Sequence, residues 1–232
     1  MPTAPTFTLT WDKTGEHIYE TGVDHGVLYP YDETTGSGDA IKHYAKGIAW
    51  NGLTSVQETP SGAEANPLYA DNIKYLDLRS AEEFGATIEA YTYPDEFAIL
   101  DGSAELASGV MIGQQTRGMF GFCYRTRIGN DTDGDAHGYK LHLVYGATAS
   151  PSERQYETVN DNPDAIQFSW EISTIPVAVA NYRPTSIVTI DSTKANATDL
   201  ATLEQILYGD GTSQGRLPLP DEVKSIMTTT NG

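Results

Sequence analysis

Along AIQFSWEISTI, residues 165–175, apolar and polar side chains take turns. Ile166, Phe168, Trp170 and Ile172 point one way; Gln167, Ser169, Glu171 and Ser173 point the other. Successive side chains of an extended chain project to opposite faces, so this alternation predicts a long strand with one buried face and one wet face. The same period of two recurs nearly throughout. ATIEAYTY (86–93) sets Thr87, Glu89, Tyr91 and Tyr93 against Ile88 and Ala90, while IKYLDL (73–78) and SIVTID (186–191) read as shorter strands. GIAWNGLTSV (47–56) reads as another strand, and HIYETGVDHGVLYPYD (17–32) holds one or two more. MFGFCYRTRI (119–128) and YKLHLVYG (139–146) flank a Gly- and Asp-rich stretch and predict a β-hairpin. Strands at this spacing belong to a sandwich or barrel.

Helical signals are few. NATDLATLEQILYGD starts with Asn196 as N-cap and Asp199 in the capping-box position, carries Leu200, Leu203 and Leu207 on one stripe, and ends at Gly209. PDEFAIL (94–100) and LPLPDEVKSIM (217–227) read as short helices with Pro94 and Pro220 at their first positions. DETTGSGDA (32–40) and the acidic, proline-punctuated ETPSGAEANPLYADN (58–72) read as loops. With 232 residues and no internal repeat, the reading is one all-β domain with minor α. It spans 1–232, with an N-terminal arm (1–10), a long loop (58–72) and a C-terminal helical segment (194–232).

Charge narrows the function. Thirty-two acidic against fourteen basic side chains give a net charge of −18, and residues 58–105 alone hold eleven acids and two bases. Such a field repels nucleic-acid backbones, so a conventional DNA-binding role is disfavoured. The single cysteine, Cys123, has no internal disulfide partner and sits among aromatic neighbours, as a buried hydrophobe would. MPTAPTFTLTWDK has no basic head followed by an apolar run, so no export signal is read there. No run of the ~18 apolar residues that a spanning helix requires occurs either. Folding in the cytoplasm is the expectation.

Each apparent catalytic motif fails on its mechanics. GNDTDGDAHG (129–138) places Asp131, Asp133 and Asp135 at every second position, as calcium loops begin. Counted from Asp131, however, the glycine and glutamate positions of such a loop hold Ala136 and His142. A tight connector between strands accounts for the same residues. GTSQG (211–215) has the letters of a nucleophile elbow around Ser213, yet a helix precedes it and no histidine follows His142. His17, His25, His43, His137 and His142 have no metal-site spacing, although His137 and His142 flank the hairpin loop. The pairs Glu82–Glu83 and Asp221–Glu222 are too ordinary in so acidic a chain to nominate a glycosidase. Trp11, Trp50, Tyr29, Tyr31 and Tyr44 would suit sugar stacking but are first read as packing residues.

An ordered series of blocks carries a resemblance. WDKTGEHIYETGVDHGVLYP, GIAWNGLTSVQETPSGAEANPLYADNIKYL, SAEEFGATIEAYTYPDEF, RTRIGNDTDGDAHGYKLHLVYGATASPSE and RLPLPDEV span roughly residues 11–225. Together they resemble the major tail (tail tube) proteins of long-tailed, non-contractile bacteriophages, the subfamily of Gram-positive hosts. The resemblance implies a tail-tube fold, an antiparallel β-sandwich or partial barrel with a flanking helix. It implies a non-enzymatic virion protein, assembled in the host cytoplasm, that forms hexameric rings stacking head to tail into a tube for genome ejection. Its partners would be copies of itself, the tape measure protein and other tail proteins, and DNA passing without tight binding; no cofactor or metal is expected. Glu82, Glu83 and Glu89 are assigned to the lumen, and Gln167, Ser169, Glu171 and Ser173 to the polar strand face lining it. The arms at 1–10 and 58–72 would order on stacking. Two alternatives remain: another virion β-sandwich, decorating the capsid or binding host carbohydrate, and a hydrolase built on Ser213.

Overall fold

The computed structural model describes residues 9–33, 43–158 and 165–228. The elements run β1 (Tyr19–Pro30), β2 (Ile48–Trp50), β3 (Leu53–Glu58), β4 (Ser61–Gly62), β5 (Ala65–Ala70), β6 (Ile73–Arg79), β7 (Glu82–Glu83) and β8 (Gly85–Ala90). There follow α1 (Asp95–Leu100), β9 (Ala104–Ala107), β10 (Val110–Ile112), β11 (Phe120–Asn130), β12 (Gly134–Ala149), β13 (Phe168–Thr174), β14 (Ile187–Asp191), α2 (Ala197–Tyr208) and α3 (Pro220–Ile226). Every strand pairing is antiparallel, so the fold is all-β with minor α, as the alternation predicts.

Eight strands form the main sheet in the order β2-β1-β11-β12-β13-β8-β3, with β14 added beside β12. The sheet rolls on itself. Its first and last strands, β2 and β3, are joined by Asn51 and Gly52 alone, and Gly52 makes this corner at φ +79°. Trp50 of β2 lies 5.5 Å from Trp170 of β13 across the interior. The pattern of 47–56 predicts one strand; the chain instead crosses here from one end of the sheet to the other.

Pleating separates two cores. On β11, Phe120, Phe122 and Tyr124 face the rolled interior with Leu28, Trp50, Ile88, Val144, Trp170 and Ile172. Cys123 faces the opposite layer, where Tyr29, Leu141, Leu143 and Tyr145 pack beneath α2 and α3. Helix α2 starts where predicted: the Asn196 side chain accepts from the N–H of Thr198 at 2.9 Å and of Asp199 at 3.3 Å. Its Leu200, Leu203 and Leu207 are buried, each stabilising by about 1.5–3 kcal/mol. The Tyr29 hydroxyl donates to the Leu207 carbonyl at 2.8 Å, tying the helix end to the sheet. Pro220 opens α3 at its first turn, whereas Pro94 is the N-cap of α1 rather than its first residue.

Two differences from the sequence reading concern protruding segments. Residues 58–72 are not a loop: β4 and β5 lie within them, and β5 pairs with β6 as a separate two-stranded ribbon whose residues are all exposed. Its tip turns through Asp71 (φ +50°) and Asn72 (φ +61°), the left-handed pair that a two-residue hairpin needs. The small β9–β10 hairpin was missed. The arm expected at 1–10 and the loop expected at 32–40 fall largely outside the described residues.

Candidate functional site

The helices leave one side of the rolled sheet bare. Strands β3, β8 and β13 are neighbours, with Ser55 opposite Glu89, Glu89 opposite Ser169, Gln57 opposite Thr87 and Thr87 opposite Glu171. Their inward residues, Val56, Ile88, Trp170 and Ile172, pack into the interior, so the intervening positions must face out. Glu89 accepts from the Ser55 hydroxyl at 2.7 Å and from Gln167 Nε2 at 3.0 Å, and Gln167 also donates to the Thr54 hydroxyl at 2.8 Å. Glu171 and Ser173 are exposed. None of the three strands contains a lysine or arginine. The result is a polar, acidic, cation-free face with an ordered hydrogen-bond row at one end.

The residues named from the sequence are thus partly brought together. Gln167, Ser169, Glu171 and Ser173 share this face with Glu89. Glu82 and Glu83 do not. They pair with Ser61 and Gly62 in β4–β7, the two-stranded root of the protruding ribbon, outside the main sheet. Alternation carried the first group; plain charge density carried the second, and charge density holds no information about register.

Glu58, the last residue of β3, was missed. It lies opposite the inward Ala86, and its carboxylate accepts from the Tyr124 hydroxyl at 2.6 Å. The His142 ring stacks parallel on Tyr124 at 4.5 Å, and its Nε2 lies 3.0 Å from the Thr126 hydroxyl. Nδ1 of His142 is 3.5 Å from Glu58, too far for a hydrogen bond. Burial holds the imidazole below its usual pKa, opposed by Glu58 and Glu20. Glu58, His142 and Thr126 follow the order of an acid–base–hydroxyl triad, but the flat-stacked ring and the long first contact fit a neutral packing histidine that anchors the ribbon's root.

The aspartate triplet does not converge. Asp131 accepts from the Gly15 N–H at 2.9 Å, Asp133 is 3.0 Å from His137 Nδ1, and Asp135 pairs with Arg127 at 3.2 Å. Asn130 caps the turn by accepting from the N–H of Thr132 and of Asp133. Among the described residues no group of three or more His, Cys, Asp or Glu side chains is placed to hold a metal. His17 and His25 lie beside Asp131 and Asp24, and His43 stacks on Tyr31. At GTSQG, Asp210 accepts from the N–H of Thr212 and Ser213, making a local turn directly after α2. Trp50, Tyr29 and Tyr44 are core residues; Trp11 is exposed. Burial pushes the Cys123 thiol up to about 12. Among the described residues no helix is long and apolar enough to cross a membrane.

No protein-family model matches the sequence, and no curated protein matches it either.

Proposed function

We propose that this chain is a structural subunit that self-associates into hexameric rings stacking into a phage tail tube, with the β3–β8–β13 face turned to the bore. The observation that carries the reading is that face: acidic, built of three strands that hold no lysine or arginine, and, among the described residues, free of the two helices, which pack on the β1, β11, β12 and β14 layer. A surface presenting fixed negative charge and hydroxyls repels phosphate, so a polyanion slides along it without being held. Strand edges support the same reading. Among the described residues β3 pairs only with β8 and β14 only with β12, and such edges are closed when neighbouring copies pair around a ring. The exposed ribbon β5–β6 suits contact between rings, a head-to-tail association that does not close. On this reading the chain has no catalytic role; its partners are further copies, other tail proteins and passing DNA, and its place is the virion tail.

Sedimentation velocity and negative-stain microscopy of the purified protein test this, alone at rising concentration and together with the tail's initiating components. Uniform hollow tubes built of six-fold rings are expected. A permanently monomeric particle under every condition would overturn the reading, and measurable binding to host carbohydrate by such a monomer would favour a decoration or adhesion protein.

A further inference from the structure

Among the described residues, nearly every basic side chain has a carboxylate within 4.0 Å; Arg79, Arg183 and Lys224 do not. In a chain with 32 acids, an unpaired cation is unusual, and two of these three share one surface groove. The groove, about 710 Å³, lies between the 179–188 segment and α3, and Val179, Pro184, Val188 and Pro220 give it apolar walls. Lys224 lies over the Tyr182 ring at 5.3 Å, which holds its ammonium at the rim. The nearby Asp221 carboxylate accepts from the Ala180 N–H instead, and Glu222 is engaged by Arg216. The groove therefore offers apolar walls and two uncompensated positive charges.

The complementary surface is on the same chain but does not cover the groove. At the tip of the β5–β6 ribbon, Tyr69, Ile73 and Tyr75 are 71%, 64% and 68% exposed, an unusual density of bare apolar side chains around one acid, Asp71. Lys74 is engaged by Asp77 at 2.6 Å, leaving the tip's own charge negative. We infer that the ribbon tip of one copy seats in the Arg183–Lys224 groove of a second copy, Asp71 between the two cations and the aromatic side chains on the apolar walls. The inference rests on the self-association proposed above and names its docking site. Tip and groove are different patches, so the contact is heterologous: each subunit that gives a tip also offers a groove, and the contact propagates.

Cross-linking tests it on the full chain. The only native cysteine, Cys123, is fully buried, so introduced surface thiols react without background. Oxidising a mixture of Asp71→Cys and Arg183→Cys proteins is expected to give disulfide dimers of mixed composition, with few from either variant alone. Asp71→Cys paired with itself, or Arg183→Cys paired instead with Leu106→Cys in the exposed β9–β10 hairpin, would overturn the proposal. In parallel, Arg183→Glu/Lys224→Glu is expected to raise the concentration needed for assembly at least tenfold, and adding Asp71→Lys to restore most of it. If the charge-reversed protein, folded by circular dichroism, makes tubes at the wild-type concentration, the groove is not the seat although the tail-tube reading stands. If no variant or wild-type protein ever associates, both fall.

Discussion

The Gly146 carbonyl accepts the Ile175 N–H at 2.9 Å, and a Cβ placed on Gly146 would lie 2.2 Å from the Ile175 carbonyl oxygen. This is where β12 changes partners: Lys140–Val144 pair with β14, and Ala147–Ala149 pair with β13. The chain makes the change at φ +62°, which glycine adopts freely and other residues do not. Gly146→Ala meets both the backbone collision and the conformational cost, so it is expected to destabilise the fold by about 2–4 kcal/mol. Urea denaturation against wild type measures it; a loss below ~1 kcal/mol would mean the strand switch tolerates a side chain.

Asp24 concentrates charge where β1 bulges. Its carboxylate accepts from Arg125 Nε at 2.7 Å and Nη2 at 3.0 Å, with Arg127 at 3.2 Å. The Arg125 hydrogen bond, opposed by burial and helped by His25 and Arg127, holds the acid at about 2 in place of 3.8. A carboxylate with a lowered folded pKa contributes stability that is complete above the unfolded value and is lost as pH falls through the folded one. Asp24→Asn is expected to cost roughly 1–2 kcal/mol near neutrality, after allowance for partial solvent screening. The difference from wild type should shrink as pH is lowered from about 4 to about 2, read from thermal midpoints across that range.

What was legible in the sequence follows from which positions are half-buried. Trp170 and Ile172 alternate with Glu171 and Ser173 because one face of β13 meets the core, so strand and face were both readable. The β11–β12 hairpin, the Asn196 cap and the leucine stripe of α2 were readable for the same reason. Ribbon β5–β6 is exposed on both faces, so its extent beyond 73–78 left no periodic trace and Pro67 argued against a strand. Glu58 faces inward because its register places it opposite Ala86, and register between distant strands is invisible in one sequence. The Arg183–Lys224 groove joins segments some forty residues apart and was hidden likewise.

His142 gives the fold an acid sensitivity of opposite origin to Asp24. Burial lowers its pKa below the ordinary 6.5, so the folded protein keeps it neutral while the unfolded chain takes up a proton. Stability is therefore full above about pH 6.5 and falls as pH drops through the folded value. His142→Gln removes this proton uptake. Wild type is expected to lose urea resistance between pH 7.5 and pH 5.5 and the variant to lose less; equal slopes would show that the imidazole does not titrate on unfolding.

The Cys123 thiol is fully buried and its ionisation is suppressed, chiefly by desolvation. Only the thiolate attacks disulfide reagents, so labelling requires opening of the sheet between β1 and β12. In native buffer an aromatic disulfide reagent is expected to label wild type at least a hundredfold more slowly than the urea-unfolded chain. Gly146→Ala should label faster in proportion to its lost stability, which ties this readout to the first prediction. Rapid native labelling would show that the layer beneath α2 opens locally.

The acidic face makes the sharpest functional prediction. Glu171 and Ser173 are exposed neighbours two residues apart on β13, with their buried partners Trp170 and Ile172 untouched by changes outside. Glu171→Lys/Ser173→Lys adds two positive charges and removes one negative charge per subunit, a net change of about +3, without entering the core, so folding and ring formation are expected to persist. On the proposed tail-tube reading, a ring of six such subunits turns a repelling lining into an attracting one, and binding through phosphates falls steeply as salt rises. Assembled variant tubes are expected to retain double-stranded DNA at about 50 mM salt and release it by about 200 mM, whereas wild-type tubes retain none at either. Virions carrying the variant should eject their genome more slowly. Variant tubes that leave DNA as free as wild-type tubes do would place this face on the outside, and the bore would have to be lined by other strands.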